Sequence, residues 1–203
     1  GLEGLLSAVP PSGRFTVDVR NFQLDYPPGL RTTSDIALTL TGDGTEWTLA
    51  GDMKILRGLF REDISPGGSL LGFGSYRWVQ SESELPAFIR GIRLDIAVDT
   101  VEPIIFKNNL ADVEILADLR VSGNPGLPLY SGRMLNAAVG EIVFGERRFV
   151  LETARIDLLG QRSPDPNIEI VAHTEITHNR EPLDIRLQLS GSASDLRYSL
   201  TST

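Results

Sequence analysis

The 203-residue chain contains no cysteine, which excludes a disulfide framework, a thiol nucleophile and a thiolate metal site. The same absence fits an oxidising compartment. Its only histidines are His173 and His178. Five residues apart, they point to opposite faces of a regular strand, which disfavours a shared metal. His173 shares parity with Glu169 and Glu175 and reads as part of a solvated face. No apolar run approaches the roughly 20 residues of a membrane-spanning helix. Positive charge is in deficit: 19 Lys and Arg against 27 Asp and Glu give a net charge of −8. That balance argues against nucleic acid as a partner and against tight docking on an anionic membrane surface.

Catalytic signatures are missing too. There is no Gly-x-Ser-x-Gly elbow and no Gly-x-x-x-x-Gly-Lys phosphate loop. Gly67-Gly68 and Gly72-x-Gly74 read as loop rather than nucleotide site. Carboxylates are plentiful but alternate along strands; a spatially paired acid and nucleophile is not visible in one dimension. Asp43, Asp165 and Asn167 sit where turns need Asp and Asn for backbone reasons, without invoking calcium. The expectation is a protein that is not an enzyme, with no catalytic residue, no metal and no cofactor.

What is present is a period of two. At 41% hydrophobic and 23% charged residues, the composition is globular. Phe15, Val17 and Val19 alternate with Thr16 and Asp18; Ile36, Leu38 and Leu40 with Ala37 and Thr39. Trp47, Leu49, Met53 and Ile55 share one parity around Gly51. Similar runs follow at Ile92–Val98, Val113–Val121, Ile168–Ile176, Ile185–Leu189 and Leu196–Leu200. Strict alternation marks strands with one buried face. Gly42-Asp43-Gly44, Asn124-Pro125-Gly126, Gly145-Glu146-Arg147 and Pro164-Asp165-Pro166-Asn167 punctuate them as turns. Sequential strands joined by turns predict an antiparallel meander.

One stretch breaks the period. From about Ile64 to Phe88, Ser65-Pro66-Gly67-Gly68 precedes Leu70, Leu71, Phe73, Tyr76, Trp78 and Val79. It reads as a loop with a short amphipathic helix, covering a strand edge or a groove mouth. The chain opens without a basic segment followed by an apolar one, and it starts and stops mid-pattern. It is therefore expected to be a segment of a longer protein.

From Ile92 onward, the order of local motifs resembles the C-terminal region of the TamB family. The run Ile92-Arg93-Leu94-Asp95-Ile96-Ala97-Val98-Asp99-Thr100 is similar to that family's Leu-Asp-Ile-x-Val strand. Asn108-Asn109-Leu110-Ala111-Asp112-Val113-Glu114-Ile115 matches its Asn-Asn-Leu segment. Asp118-Leu119-Arg120-Val121-Ser122-Gly123 follows, with Pro128-Leu129 and Gly132. Gly140-Glu141-Ile142-Val143-Phe144 with Arg148-Phe149-Val150-Leu151 resembles its recurring hairpin. Ile168 to Ile176 and Leu187-Gln188-Leu189-Ser190-Gly191 close the series. Phe15 to Arg61 matches more loosely, the insertion has no counterpart, and the Asp-Pro that often follows Ser202 is lacking.

The resemblance implies an all-β fold: an elongated antiparallel sheet curled into an open apolar trough, a β-taco. Residues 1–203 would be one such segment, with an irregular or short-helical insertion at about 64–90. It further implies a periplasmic protein anchored in the inner membrane and related to AsmA-like and bridge-like lipid transfer proteins. The implied partners are phospholipid acyl chains and an outer-membrane barrel of the TamA/BamA kind.

A sheet with one apolar face must hide it, against a second sheet, in a barrel, or around an apolar ligand. The residues expected to line a lipid-facing groove are Leu94, Ile96, Val98, Val113, Ile115, Leu119, Ile142, Phe144, Phe149, Leu151, Ile168, Ile170, Ile176, Leu187 and Leu189. Alternation alone favours a sandwich core for them; it is the resemblance that points to a lipid-accessible groove. Two other readings stand beside the conduit. One is a scaffold for outer-membrane or autotransporter proteins that pairs client strands with its edge. The other is a carbohydrate- or protein-binding sandwich using Tyr76 and Trp78.

Overall fold

A computed structural model of the chain describes residues 12–25, 29–43, 46–63, 87–160, 165–178 and 180–202. The expected loop-and-helix stretch lies almost wholly outside the described residues; its end is one helical turn, α1 (Ala87–Arg90). The remaining elements are twelve strands of a single sheet. They are β1 (Gly13–Asp25), β2 (Leu30–Gly42), β3 (Trp47–Phe60), β4 (Ile92–Thr100), β5 (Ile104–Lys107) and β6 (Ala111–Asn124). After them come β7 (Leu127–Asn136), β8 (Gly140–Phe144), β9 (Arg147–Leu159), β10 (Asn167–His178), β11 (Glu181–Ser192) and β12 (Asp195–Ser202).

The strand path follows chain order. Strands β4 and β5 both lie between β3 and β6 in one direction, so they are two pieces of one interrupted strand. Strands β7 and β8 likewise share the space between β6 and β9. The meander departs from the expected antiparallel order once: β4 and β5 run parallel to β3, so the sheet is mixed. Ile92, which opens β4, pairs with Trp47 at the start of β3. After β3 the chain must therefore travel back its whole length, about 45 Å for 14 residues at the usual rise. A hairpin turn cannot do this, whereas the 30-odd residues of the insertion can. The parallel junction is the topological consequence of that insertion.

Two interruptions show why particular polar residues sit inside the sheet. Where β4 gives way to β5, Thr100 Oγ1 accepts the Ala117 N–H at 2.9 Å, and the Val101 N–H donates to Ile55 O at 2.8 Å. Where β7 gives way to β8, Asn136 Oδ1 accepts the Ala154 N–H at 2.7 Å. Its amide nitrogen donates to Ala138 O and Glu152 O at 3.2 and 3.3 Å. Each side chain replaces a ladder partner that the break removes, because buried backbone groups left unpaired are costly.

Other irregularities fall on the same line across the sheet. Arg20 and Asn21 stand against Asp35 alone, with Asn21 at φ 54° and its N–H on Asp35 Oδ1. Leu56 is an extra residue of β3 against β2, and Glu152 of β9 against β10. Such bulges bend strands and increase twist. Gly51 (φ 147°) and Gly132 (φ 123°) add to the bend, and a Cβ there would collide with Ala37 O or Asp118 O. Only glycine fits where one strand approaches its neighbour this closely.

Candidate functional site: the apolar face

Residues paired directly across a ladder share a face, so the registers trace that face from edge to edge. One row runs Phe15, Leu40, Leu49 and Leu94. The next is Val17, Leu38, Gly51, Ile96, Val121 and Tyr130. A third is Ala117, Met134, Ile156, Ile168, Gly191 and Leu196. A fourth is Ala154, Ile170, Leu189 and Tyr198. One face of the sheet is thus apolar from β1 to β12.

The opposite face carries the charges. Lys54, Asp99, Asp118, Arg133, Asp157 and Asn167 form one of its rows. Asp157 accepts from Arg133 at 3.0 Å and Arg155 at 2.7 Å. The Arg155 bond, then the Arg133 bond, hold its carboxyl below the ordinary carboxylate range. His173 lies on this face as expected, 3.2 Å from Glu152. A concavity of about 1020 Å³ opens here, lined by Leu116, Asp118, Arg133, Leu135 and Asp157 among others. Its arginines are already spent on Asp157, and it lies on the side of the sheet away from the apolar rows. Volume alone does not make it the functional surface.

The apolar face is not uniform. At the β8–β12 end the sheet rolls up. Phe144 on β8 and Tyr198 on β12 have ring centroids 5.2 Å apart. A flat sheet would hold strands four places apart roughly 19 Å from each other. The rolled interior is filled by its own side chains: Leu151 and Ile168 are 1% exposed and Leu187 0%. They form a cluster with Phe149, Ala154, Ile170, Ala172 and Leu189, against which Val113, Ile142 and Phe144 pack. At the opposite edge of the sheet, along β1, the same face is open. Phe15 and Val17 are 62% and 52% exposed, and Phe22 is exposed as well. Phe15 stacks on Trp47, centroids 6.2 Å apart, over the intervening strand.

All fifteen residues expected to line a groove lie on the apolar face. Leu94, Ile96 and Val98 sit on β4, opposite Leu49, Gly51 and Met53. Val113, Ile115 and Leu119 are on β6; Ile142 and Phe144 on β8; Phe149 and Leu151 on β9. Ile168, Ile170 and Ile176 are on β10, and Leu187 and Leu189 on β11. Leu94, Ile115, Phe149, Leu151, Ile168, Ile170, Leu187 and Leu189 are buried; the other seven are half-buried. That set omits the open end, although the alternation of Phe15, Val17 and Val19 already marked it. Phe22 was concealed by the bulge at Arg20–Asn21, which shifts its parity. Tyr76 and Trp78, the platform of the sandwich reading, lie outside the described residues. No group of three or more metal-ligating side chains occurs among the described residues.

The motifs that gave the family resemblance now have structural roles. Asn108 Oδ1 accepts the N–H groups of Leu110 and Ala111, both at 2.9 Å, to turn β5 into β6. Gly145 at φ 63° makes the two-residue turn in which Phe144 pairs with Arg147. A single curled sheet, one face apolar and the other charged, defines a class of β-protein built around a lengthwise apolar surface. The family model for the TamB C-terminal domain matches residues 2–203, and the chain belongs to the TamB family. It is accordingly a C-terminal part of a TamB-like protein of the cell envelope, within the assembly module associated with TamA. No curated protein matches it.

Proposed function

We propose that this segment is a non-enzymatic, periplasmic stretch of hydrophobic groove along which phospholipid acyl chains travel between inner and outer membranes. The parent chain would be anchored in the inner membrane and meet a TamA/BamA-type barrel at the outer one. The observation that carries this reading is the apolar face continuous from β1 to β12 and solvent-exposed at Phe15, Val17 and Phe22. Exposed apolar side chains clustered on one face of an otherwise charged sheet mark a binding surface. A sixteen-carbon chain gains roughly 10 kcal/mol on leaving water, at about 0.8 kcal/mol per methylene. Binding of that size needs no catalytic group and no fixed pocket, and a continuous face lets the chain slide while its headgroup stays wet.

The test is lipid extraction and mass spectrometry on protein purified from bacterial cells without detergent. Near-stoichiometric phospholipid, lost in Val17→Asp while the circular dichroism spectrum is kept, is the expected result. Val17 suits this substitution because it is half in water already, whereas charge at Ile115 or Ile170 would enter the core. Lipid-free protein, or lipid that survives Val17→Asp together with Phe15→Asp, would refute the groove.

A second reading draws on a different observation. Strand β1 is 13 residues long, and its outer edge has no strand partner among the described residues. Such an edge can accept an extended client strand by backbone pairing. A scaffold of this kind predicts photocrosslinks from Thr16 to unfolded barrel or autotransporter segments, and greater harm from Val17→Pro than from Val17→Asp.

A further inference from the structure

The charged face carries a patch that neither the groove nor the fold accounts for. Its concavity of about 1020 Å³ reaches from Asp99 on β4 to Asn167 on β10. Three large apolar side chains stand in it: Leu116 and Leu135, directly paired across β6 and β7, and Leu159 at the end of β9. All three are exposed. Single exposed leucines are ordinary on a protein surface; three in one recess of a face otherwise given to charge mark a contact surface. Beside them, Asp99 and Asp118 oppose each other across the β4–β6 ladder, an arrangement of like charges that destabilises a sheet. Other carboxylates of this face hold a cation: Asp95 has Arg120, Asp112 has Lys107, Glu141 has Arg148 and Asp157 has two arginines. Asp99 and Asp118 hold none among the described residues. Lys54 stands across from Asp99 without forming an ion pair, and Arg133, across from Asp118, is turned to Asp157 instead.

We propose that this recess is a docking site for an amphipathic, cationic helix of a partner protein. Apolar side chains of the helix meet Leu116, Leu135 and Leu159, and its lysines or arginines meet Asp99 and Asp118. The site lies on the face away from the lipid groove and does not depend on that reading. Charge, backbone pairing and size together define the occupant. Both arginines of the recess are spent on Asp157, so the opposed carboxylates are neutralised only by a cation from outside, and they repel an anionic lipid headgroup. Strands β6, β7 and β9 are laddered on both sides, so no further strand can add here and contact is made through side chains. From β4 to β10 there are four strand spacings, about 19 Å, which is the length of three to four helical turns.

The test uses the full 203-residue chain and a fluorescein-labelled helical peptide of leucine and lysine, about four turns long with its leucines on one face. Binding is read by fluorescence anisotropy. Asp99→Asn/Asp118→Asn is expected to weaken binding about tenfold or more while raising the Tm slightly, because it removes both the cation partners and their mutual repulsion. Leu116→Ser/Leu135→Ser is expected to weaken it to a similar degree, and Val17→Ser, on the other face, to leave it unchanged. Added salt should lower the affinity severalfold, as it does for exposed charges. A photoreactive benzoylphenylalanine at Leu135 should crosslink the peptide and one at Val17 should not, a readout that stands even if the leucine variant loses stability. Binding that is indifferent to the aspartate pair and to the leucine pair overturns the site. So does crosslinking at 17 with none at 135, which would place the peptide on the open apolar face. Equal affinity for a peptide of the same composition with its leucines scattered around the helix reduces the effect to general charge attraction and overturns it too, as does the absence of binding. None of these outcomes touches the groove reading.

Discussion

The two ends of this sheet carry the same pattern and use it differently. Strands β1–β3 and β8–β12 both alternate apolar and polar residues with period two. At the second end the apolar face meets itself across the Phe144–Tyr198 seam and fills its own interior. At the first it is covered at Ile55 and Phe60 of β3 but stays open along β1, with Phe15 and Val17 more than half in water. Binary pattern therefore sets which face is apolar but not what covers it. Curvature decides that, and curvature comes from places where the pattern breaks: the bulges, the split strands and the glycines at positive φ.

The sharpest way to test the contrast is to truncate one apolar residue at each end. Leu187→Ala should cost about 3–5 kcal/mol by urea denaturation, because a fully sealed leucine leaves a cavity. Val17→Ala should cost under about 1 kcal/mol, since its side chain is already half hydrated. Equal losses would mean that β1 is packed in solution and the open end is not open.

Next in size are the bends. Gly51→Ala and Gly132→Ala each place a Cβ against a neighbouring strand's carbonyl and should each cost more than about 1 kcal/mol. If the roll depends on the bend near its border, Gly132→Ala should also increase binding of a dye that reports exposed apolar surface, and Gly51→Ala should not. Asn136→Ala should cost about 1–3 kcal/mol by stranding the Ala154 N–H. Asn136→Asp, which keeps an acceptor for that N–H, should recover part of the loss.

The smallest effect is in acid. Asp157 is held below the ordinary carboxylate range by Arg155 and then Arg133. Asp165 is held there by the hydroxyl and then the N–H of Ser194, at 2.7 and 2.9 Å. Both folded-state values lie below the unfolded one, so their stabilisation is complete above about pH 4 and is lost as pH falls through the lowered values. The Tm should decline below about pH 4, and Asp157→Asn should flatten that decline. A decline unchanged in both Asp157→Asn and Asp165→Asn would assign it to other carboxylates.

Much of the architecture was legible in order. The parity of Ile92 to Val98, of Val113 to Val121 and of Ile168 to Ile176 places each run on the correct face. The Gly145 turn pairs Phe144 with Arg147 as its residues dictate. The parallel junction was not legible, because a stretch of about 30 residues with no readable period does not declare whether it crosses over. Nor were the roles of Thr100 and Asn136: each looks like an ordinary polar residue at a strand end until the missing ladder partner is seen across the break.

By itself the sequence determined the strand content, the apolar face and the family, because period two, turn chemistry and motif order are local properties that each residue carries with its neighbours. Only the tertiary structure decided where that face is sealed and where it is open. Phe144 and Tyr198 lie four strands apart, with β9, β10 and β11 between them, and their meeting depends on the summed twist and bend of every ladder along that path, which no local pattern encodes.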